Sequence, residues 1–274
     1  MRYVAPARGS VAAASFAQPP LADWAEYGEW LQGAAWPTVE SLNDGWLHPA
    51  RWRFVRQTPA LLADGLHYEQ RIAQRGEIAT RQDNWHDLFN ALVWLRYPAI
   101  KQALNARQMA EIARMGPKMR SRAQYALTHF DEAGVMVELA NRELLDCWDA
   151  HDWHGLFWRH RQAWIDGAIR VEPFGHALLE HALPPGKLLV GKALVFVRSS
   201  TPTLRDSCAT AIAAGQLLND PLELRPLPLS GLPGWHPDNA SEAFHRGAAC
   251  YQPLREGRRY PPPWPLAATD GGLP

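Results

Sequence analysis

Cysteine is scarce. Cys147, Cys208 and Cys250 stand alone in 274 residues, and no Cys-x-x-Cys pair occurs. A thiolate zinc site therefore has no support. Three cysteines cannot all pair, and a chain of this length needs no disulfides, so a reducing cytoplasm is the expected compartment. Charge of one sign is also missing: Lys plus Arg and Asp plus Glu are 28 each. General attraction to nucleic acid shows as a basic excess or stripe. Only a scatter of arginines, Arg120, Arg122 and Arg255 to Arg259, is present, so no general nucleic-acid binding is expected. Long hydrophobic runs are absent too. Leu88–Leu95 and Leu188–Val197 fall well short of the roughly 20 residues of a membrane helix. The small-residue run Val11–Ala14 follows no sustained apolar stretch, so a signal peptide is not expected. Dinucleotide, phosphate-loop, nucleophile-elbow and His-Glu-x-x-His signatures are all missing, and no serine or cysteine sits in a nucleophile's context.

What is abundant is tryptophan, 13 residues in all. An aromatic-rich core explains them, and a stacking surface is the alternative. Helical spacing runs through Trp24, Tyr27, Trp30 and Leu31, and a short helix follows at Val39–Leu42. Strand signals lie at Trp52–Val55 and across Leu66–Ile78, where Arg75-Gly76 reads as a hairpin turn. The clearest helix opens at Asn84, an N-cap with Asp87 in capping-box spacing, and Pro98 ends it. Ala99–Met115 continues as helix. Tyr125–Phe130 and Val135–Leu139 read as two strands around the loop Asp131-Glu132-Ala133-Gly134. Helices are expected at Arg142–Trp148, Gly155–Ile165, Phe174–Leu183 and Thr203–Leu218. Leu188–Val197 is apolar without alternation and β-branched, as in a buried strand. Residues 1–20 and 261–274 lack periodicity and are expected to be disordered, leaving 21–260 as one globular domain. The fold class is α+β, a mixed or mostly antiparallel sheet covered by helices.

Thr80-Arg81-Gln82-Asp83-Asn84-Trp85-His86-Asp87-Leu88-Phe89-Asn90-Ala91-Leu92, extended by Pro98, Lys101 and Asn105, resembles the proteobacterial domain-of-unknown-function family DUF3025. Leu127-Thr128-His129-Phe130-Asp131-Glu132-Ala133-Gly134, Phe174-Gly175-His176-Ala177, Pro226-Leu227-Pro228 and Gly231-Leu232-Pro233-Gly234-Trp235 extend the likeness over most of residues 40–255. Phe244-His245-Arg246 departs from an aromatic-acidic stretch there. The resemblance implies one coherent domain and brings with it no activity, cofactor or catalytic residue.

Chemistry is therefore sought in the residues themselves. At about 100° per residue, His86 and Asn90 share a helix face. Tyr97, Lys101 and Asn105 would prolong that polar stripe if the helix ran on past Pro98. A buried hydrogen-bond network and a cleft wall are both open readings. On the second, His86, Asn90, Asp131 and His176 are the candidate catalytic residues. Arg81, Lys101, Asn105 and Trp235 are candidate substrate contacts. His86, Asp87, Asp131 and His176 could converge on a divalent metal, since imidazole and carboxylate suit zinc or manganese. Asp87 also has a local capping task, and Asp131-Glu132 read either as paired carboxylates or as turn residues. His151, His154 and His160 read as a solvated face, and His176 and His181, five apart, share none. Two functions compete: a hydrolase-like, metal-assisted enzyme with a His/Asp/Asn-lined pocket acting on a small molecule, and a non-enzymatic binding or scaffold protein engaging a protein partner through a flat surface of Trp153, Trp158 and Trp164.

Overall fold

In the computed structural model, which describes residues 3–47, 51–116, 119–140, 142–198 and 203–265, Asn84 is extended and its side-chain oxygen accepts the Asp87 amide. That cap opens the most deeply buried helix of the fold. In chain order the elements that matter are β1 (Arg53–Arg56), α1 (Tyr68–Arg75), β2 (Glu77–Thr80), α2 (Trp85–Arg96), α3 (Pro98–Met115), α4 (Arg122–Ala133), β3 (Gly134–Leu139), β4 (Ile169–Pro173), α5 (His176–His181), β5 (Val190–Val197), α6 (Leu204–Ala213), β6 (Arg225–Pro228) and β7 (Trp264–Pro265). Proline 98 both ends α2 and begins α3. The residue between them, Tyr97, leaves helical angles because a following proline disfavours them.

In two expected hairpins the first arm is a helix, while the second arm is a strand, Glu77–Thr80 in one and Gly134–Leu139, which contains the expected Val135–Leu139, in the other. Leu66–Ile78 is not a strand pair. His67 and Gln70 cap α1 reciprocally, and Gly76, at φ 67°, is its left-handed C-cap rather than a turn. Tyr68 and Ile72, read as a strand face, are one helical turn apart. Tyr125–Phe130 likewise lies inside α4, opened by a capping box between Ser121 and Gln124. Asp131, Glu132 and Ala133 therefore form the last turn of that helix, not a loop. The early aromatic segment is also shorter than expected, a 3-10 stretch Leu21–Tyr27 followed by helix Gly28–Gln32.

Strands β1 and β2 pair in parallel. The larger sheet runs β4-β3-β5-β6, with β7 beside β5. β3 and β5 are parallel, while β4 and β6 pair antiparallel, so the sheet is mixed and the architecture α+β. β5 is interior, as its unbroken apolar run requires. Met136, Leu194 and Phe196 face one layer, with Phe130 of α4 and Ile212 of α6. Val135, Val137 and Val195 face the other, with Trp148, Phe157 and Leu229. Most of the tryptophan surplus goes into these cores, with Trp24, Trp94 and Trp148 fully enclosed.

Residues 3–20 make specific contacts with the rest of the described chain. Phe16 is buried, the Arg8 guanidinium donates to the carbonyls of Trp30 and Gly33, and Trp85 Nε1 donates to the Pro6 carbonyl at 3.0 Å. Periodicity was missing because the contacts are made by backbone carbonyls and single side chains. Deleting residues 1–8 should lower stability by about 1–3 kcal/mol, because the buried Trp85 indole loses its acceptor. An unchanged denaturation midpoint would show the segment to be idle. At the other end, Trp264 and Pro265 pair with Phe196 and Val197; residues 266–274 lie outside the described residues.

Candidate functional site

A polar cleft of about 260 Å³ opens where several helices meet. α1 brings Tyr68 and Glu69, α2 brings His86, Asp87 and Asn90, α4 brings Thr128, Asp131 and Glu132, and α5 brings His176. Gly175 allows the last pair to meet. A Cβ there would lie 2.4 Å from Ala133 Cα, so only glycine lets the start of α5 close on the end of α4.

The two imidazoles face each other, His176 Nε2 to His86 Nε2 at 3.1 Å. Glu132 Oε2 lies 3.6 Å from His176 Nε2. One ligand atom from each of His86, Glu132 and His176 falls within 4.8 Å of the others. Two nitrogens about 2.0–2.1 Å from a tetrahedral ion are separated by about 3.3 Å, so the spacing suits a divalent metal with little movement. The outer nitrogens also point at acids. His86 Nδ1 is 3.1 Å from Glu180 Oε2, and the buried His176 Nδ1, which makes no hydrogen bond, is 4.0 Å from Asp131 Oδ1. Imidazoles backed by carboxylates are the usual setting of metal-bound histidine.

The electrostatics separate the two rings. The bond to Glu180 holds His86 above its ordinary pKa, against the opposing effect of burial. Burial dominates at His176 and pushes it down to about 3, so this ring is neutral at pH 7. Glu132 is raised, chiefly by burial. Burial also opposes ionisation of Asp131, but the surrounding bases, Lys101 foremost, hold it below the usual carboxylate range. Both acids sit at the carboxyl end of α4, where the helix dipole disfavours anions. Helix stability alone would not place them there.

Of the sequence candidates, His86, Asn90, Asp131 and His176 do come together around this cleft. Arg81 lines it with its guanidinium held by Asp87, whose Oδ1 is 2.6 Å away, and Asp87 Oδ2 also accepts the Arg81 amide. Asp87 thus fastens the approach to α2 and is not turned to the histidines. Lys101 and Asn105 brace the wall from behind. Lys101 Nζ donates to Asp131 Oδ1 at 2.6 Å and to Asn90 Oδ1 at 2.9 Å, and Asn105 Nδ2 donates to Glu69 Oε2 at 2.5 Å. Asn90 Nδ2 in turn donates to the Tyr68 hydroxyl. The stripe drawn along a continuous helix is therefore partly restored in three dimensions, except for Tyr97, which donates to Glu172 instead. Trp235 lies elsewhere, on a separate pocket beside Pro184 and Lys187. Trp153 and Trp164 are buried and Trp158 is half-buried, so they form no flat exposed surface.

Glu180 and Glu69 are not among the residues the sequence singles out, and Glu132 is singled out only beside Asp131, as a carboxylate pair or a turn. Glu180 stands four residues after His176 on α5, a one-face spacing that could have marked it. A wider groove of about 910 Å³, walled by residues 3–8, opens beside the cleft and shares Arg81 and His86 with it.

These features define an α+β protein with an imidazole–carboxylate cleft assembled between helices. The chain belongs to the DUF3025 family, described as protein of unknown function, which matches residues 52–255 and so includes every residue of the cleft. No curated protein and no solved structure matches the chain. Among the described residues no helix is long and apolar enough to cross a membrane.

Proposed function

We propose that the cleft is the active site of a metal-assisted hydrolase acting on a small molecule. The observation that carries this reading is the meeting of His86 Nε2 and His176 Nε2 at 3.1 Å with Glu132 beside them. A divalent ion held by these three residues would supply an acidified water and polarise an acyl oxygen. Glu180 orients the His86 imidazole through its hydrogen bond, and Asp131, kept ionised by Lys101, lies 4.0 Å from His176 Nδ1. The Tyr68 oxygen accepts from Asn90, which leaves the phenolic proton available for a developing oxyanion. Burial raises the Tyr68 pKa, so the hydroxyl remains a donor. In the reaction the water oxygen joins the acyl carbon, the bond to the leaving amine or alcohol breaks, and the water proton departs with that group. The three free cysteines suit a cytoplasmic location.

Metal content tests the reading. After incubation with Zn²⁺ or Mn²⁺ and removal of excess, the wild type should retain one ion per chain by elemental analysis. His176→Ala and Glu132→Ala should retain none while keeping a cooperative unfolding transition. Equal retention by wild type and variants would overturn it.

A further inference from the structure

Three acids around the cleft face a base that can carry the counter-charge, Asp87 with Arg81, Asp131 with Lys101 and Glu180 with His86, and Glu132 lies against His176 at the proposed metal site. Glu69 is the exception. It lines the same cleft, and among the described residues no lysine, arginine or histidine lies within ion-pair distance of it. Its fixed partner is the neutral amide of Asn105, which donates to Oε2 at 2.5 Å and to the Glu69 carbonyl at 3.0 Å. Asn105 is itself buried, so the carboxylate is held in one position. A place in the first turn of α1 favours an anion but provides no counter-ion. Keeping a carboxylate half-buried without a cation costs stability, and positioning it with a buried asparagine is the arrangement of a group that awaits a charged partner.

We propose that Glu69 anchors the ammonium group of the substrate, which makes the substrate class an amine-bearing amide or ester such as an aminoacyl compound. The acyl part of this inference rests on the metal-hydrolase reading; the ammonium anchor does not. Gln57, Gln108 and Thr128 line the same cleft with neutral polar side chains. Arg81 and Lys101 are neutralised by their own acids, so among the described residues no lysine or arginine on the cleft wall is free to favour an anionic substrate.

Two ligand pairs test the anchor and the metal separately. On zinc-loaded protein, acetohydroxamate reads the metal alone, and glycine hydroxamate adds one amino group. Calorimetry should show glycine hydroxamate binding at least about tenfold tighter, the gain expected of a charge-assisted hydrogen bond. Glu69→Gln, which keeps the Asn105 contact, should abolish that gain and leave acetohydroxamate unchanged. On metal-free protein, n-propylammonium should perturb the cleft resonances by NMR, 1-propanol should not, and Glu69→Gln should remove the difference. If neither amine gains over its neutral analogue, or if Glu69→Gln keeps the gain, the anchor is overturned. If the ammonium is selected through Glu69 but no zinc is retained, the anchor stands and the hydrolase reading falls.

Discussion

Replacing Lys101 by methionine should destabilise the protein by about 3–5 kcal/mol, the cost of breaking one half of a buried ion pair. Lys101 is 3% exposed, and its ammonium sits over the Trp94 ring as well as against Asp131 and Asn90. Methionine keeps the aliphatic stem but leaves Asp131 charged, half-buried and at the unfavourable end of α4. Asn90 loses a donor at the same time. Lys101 is foremost among the bases that hold the Asp131 pKa down against burial, so in the variant the stability lost through this carboxylate on acidification should shrink, and wild type and variant should converge at low pH. The sign follows from linkage: a depressed carboxylate contributes stability above its unfolded pKa that is lost as pH falls through the folded one. Removing the lysine removes that contribution. Urea denaturation of Lys101→Met, alone and combined with Asp131→Asn, checks the argument. The double variant should recover part of the loss, because the uncompensated charge is gone. A loss below about 1 kcal/mol for the single variant would mean that water already screens Asp131.

Glu180→Gln should weaken metal binding by about 10–100-fold, the usual effect of removing a carboxylate behind a metal-bound histidine. The pH profile gives a second readout. His86 is raised by Glu180 in the metal-free protein, and the ion needs the same Nε2 without its proton. Affinity in the wild type should therefore fall about tenfold per pH unit below a value above the ordinary histidine range near 6.5. In Glu180→Gln the plateau is lower, but the decline begins at a lower pH, because His86 protonates less readily. Isothermal titrations between pH 5 and pH 8 separate the two effects. A variant with unchanged affinity and an unchanged profile would remove Glu180 from the site.

The parts of the fold that were legible were those with local causes. Asn84 caps a helix through its own side chain, Pro98 restricts the residue before it, and the run Leu188–Val197 is apolar on both faces because both faces are covered. The first arms of the two expected hairpins had local signals that favoured the wrong element. Tyr125, Leu127 and Phe130 suit a strand, and only the reciprocal bond between Ser121 and Gln124, together with packing of Phe130 on Phe174, commits them to helix. At the site, His86, Asp131 and His176 were recognisable as chemistry-bearing side chains, but which acid turns toward the histidines was not. That depends on the last turn of α4, which rotates Glu132 toward His176 and Asp131 toward Lys101. Glu180 depends in turn on α5 lying across α2. No periodicity within one segment carries that information.

The spacing of the site is set by main chain rather than by side chains. Where Gly175 meets Ala133 there is no room for a methyl group, so the distance between Glu132 and His176 is gauged by two backbones in contact. Their side chains can then be exchanged without resetting the gauge. A Glu132→His or His176→Asp protein would present different donor atoms on an unaltered frame, and so a different metal preference, whereas any residue with a Cβ at position 175 would spread the frame and spoil every ligand set alike. The glycine serves the cleft as a machinist's spacer does: it contributes no chemistry and fixes the clearance within which all the chemistry takes place.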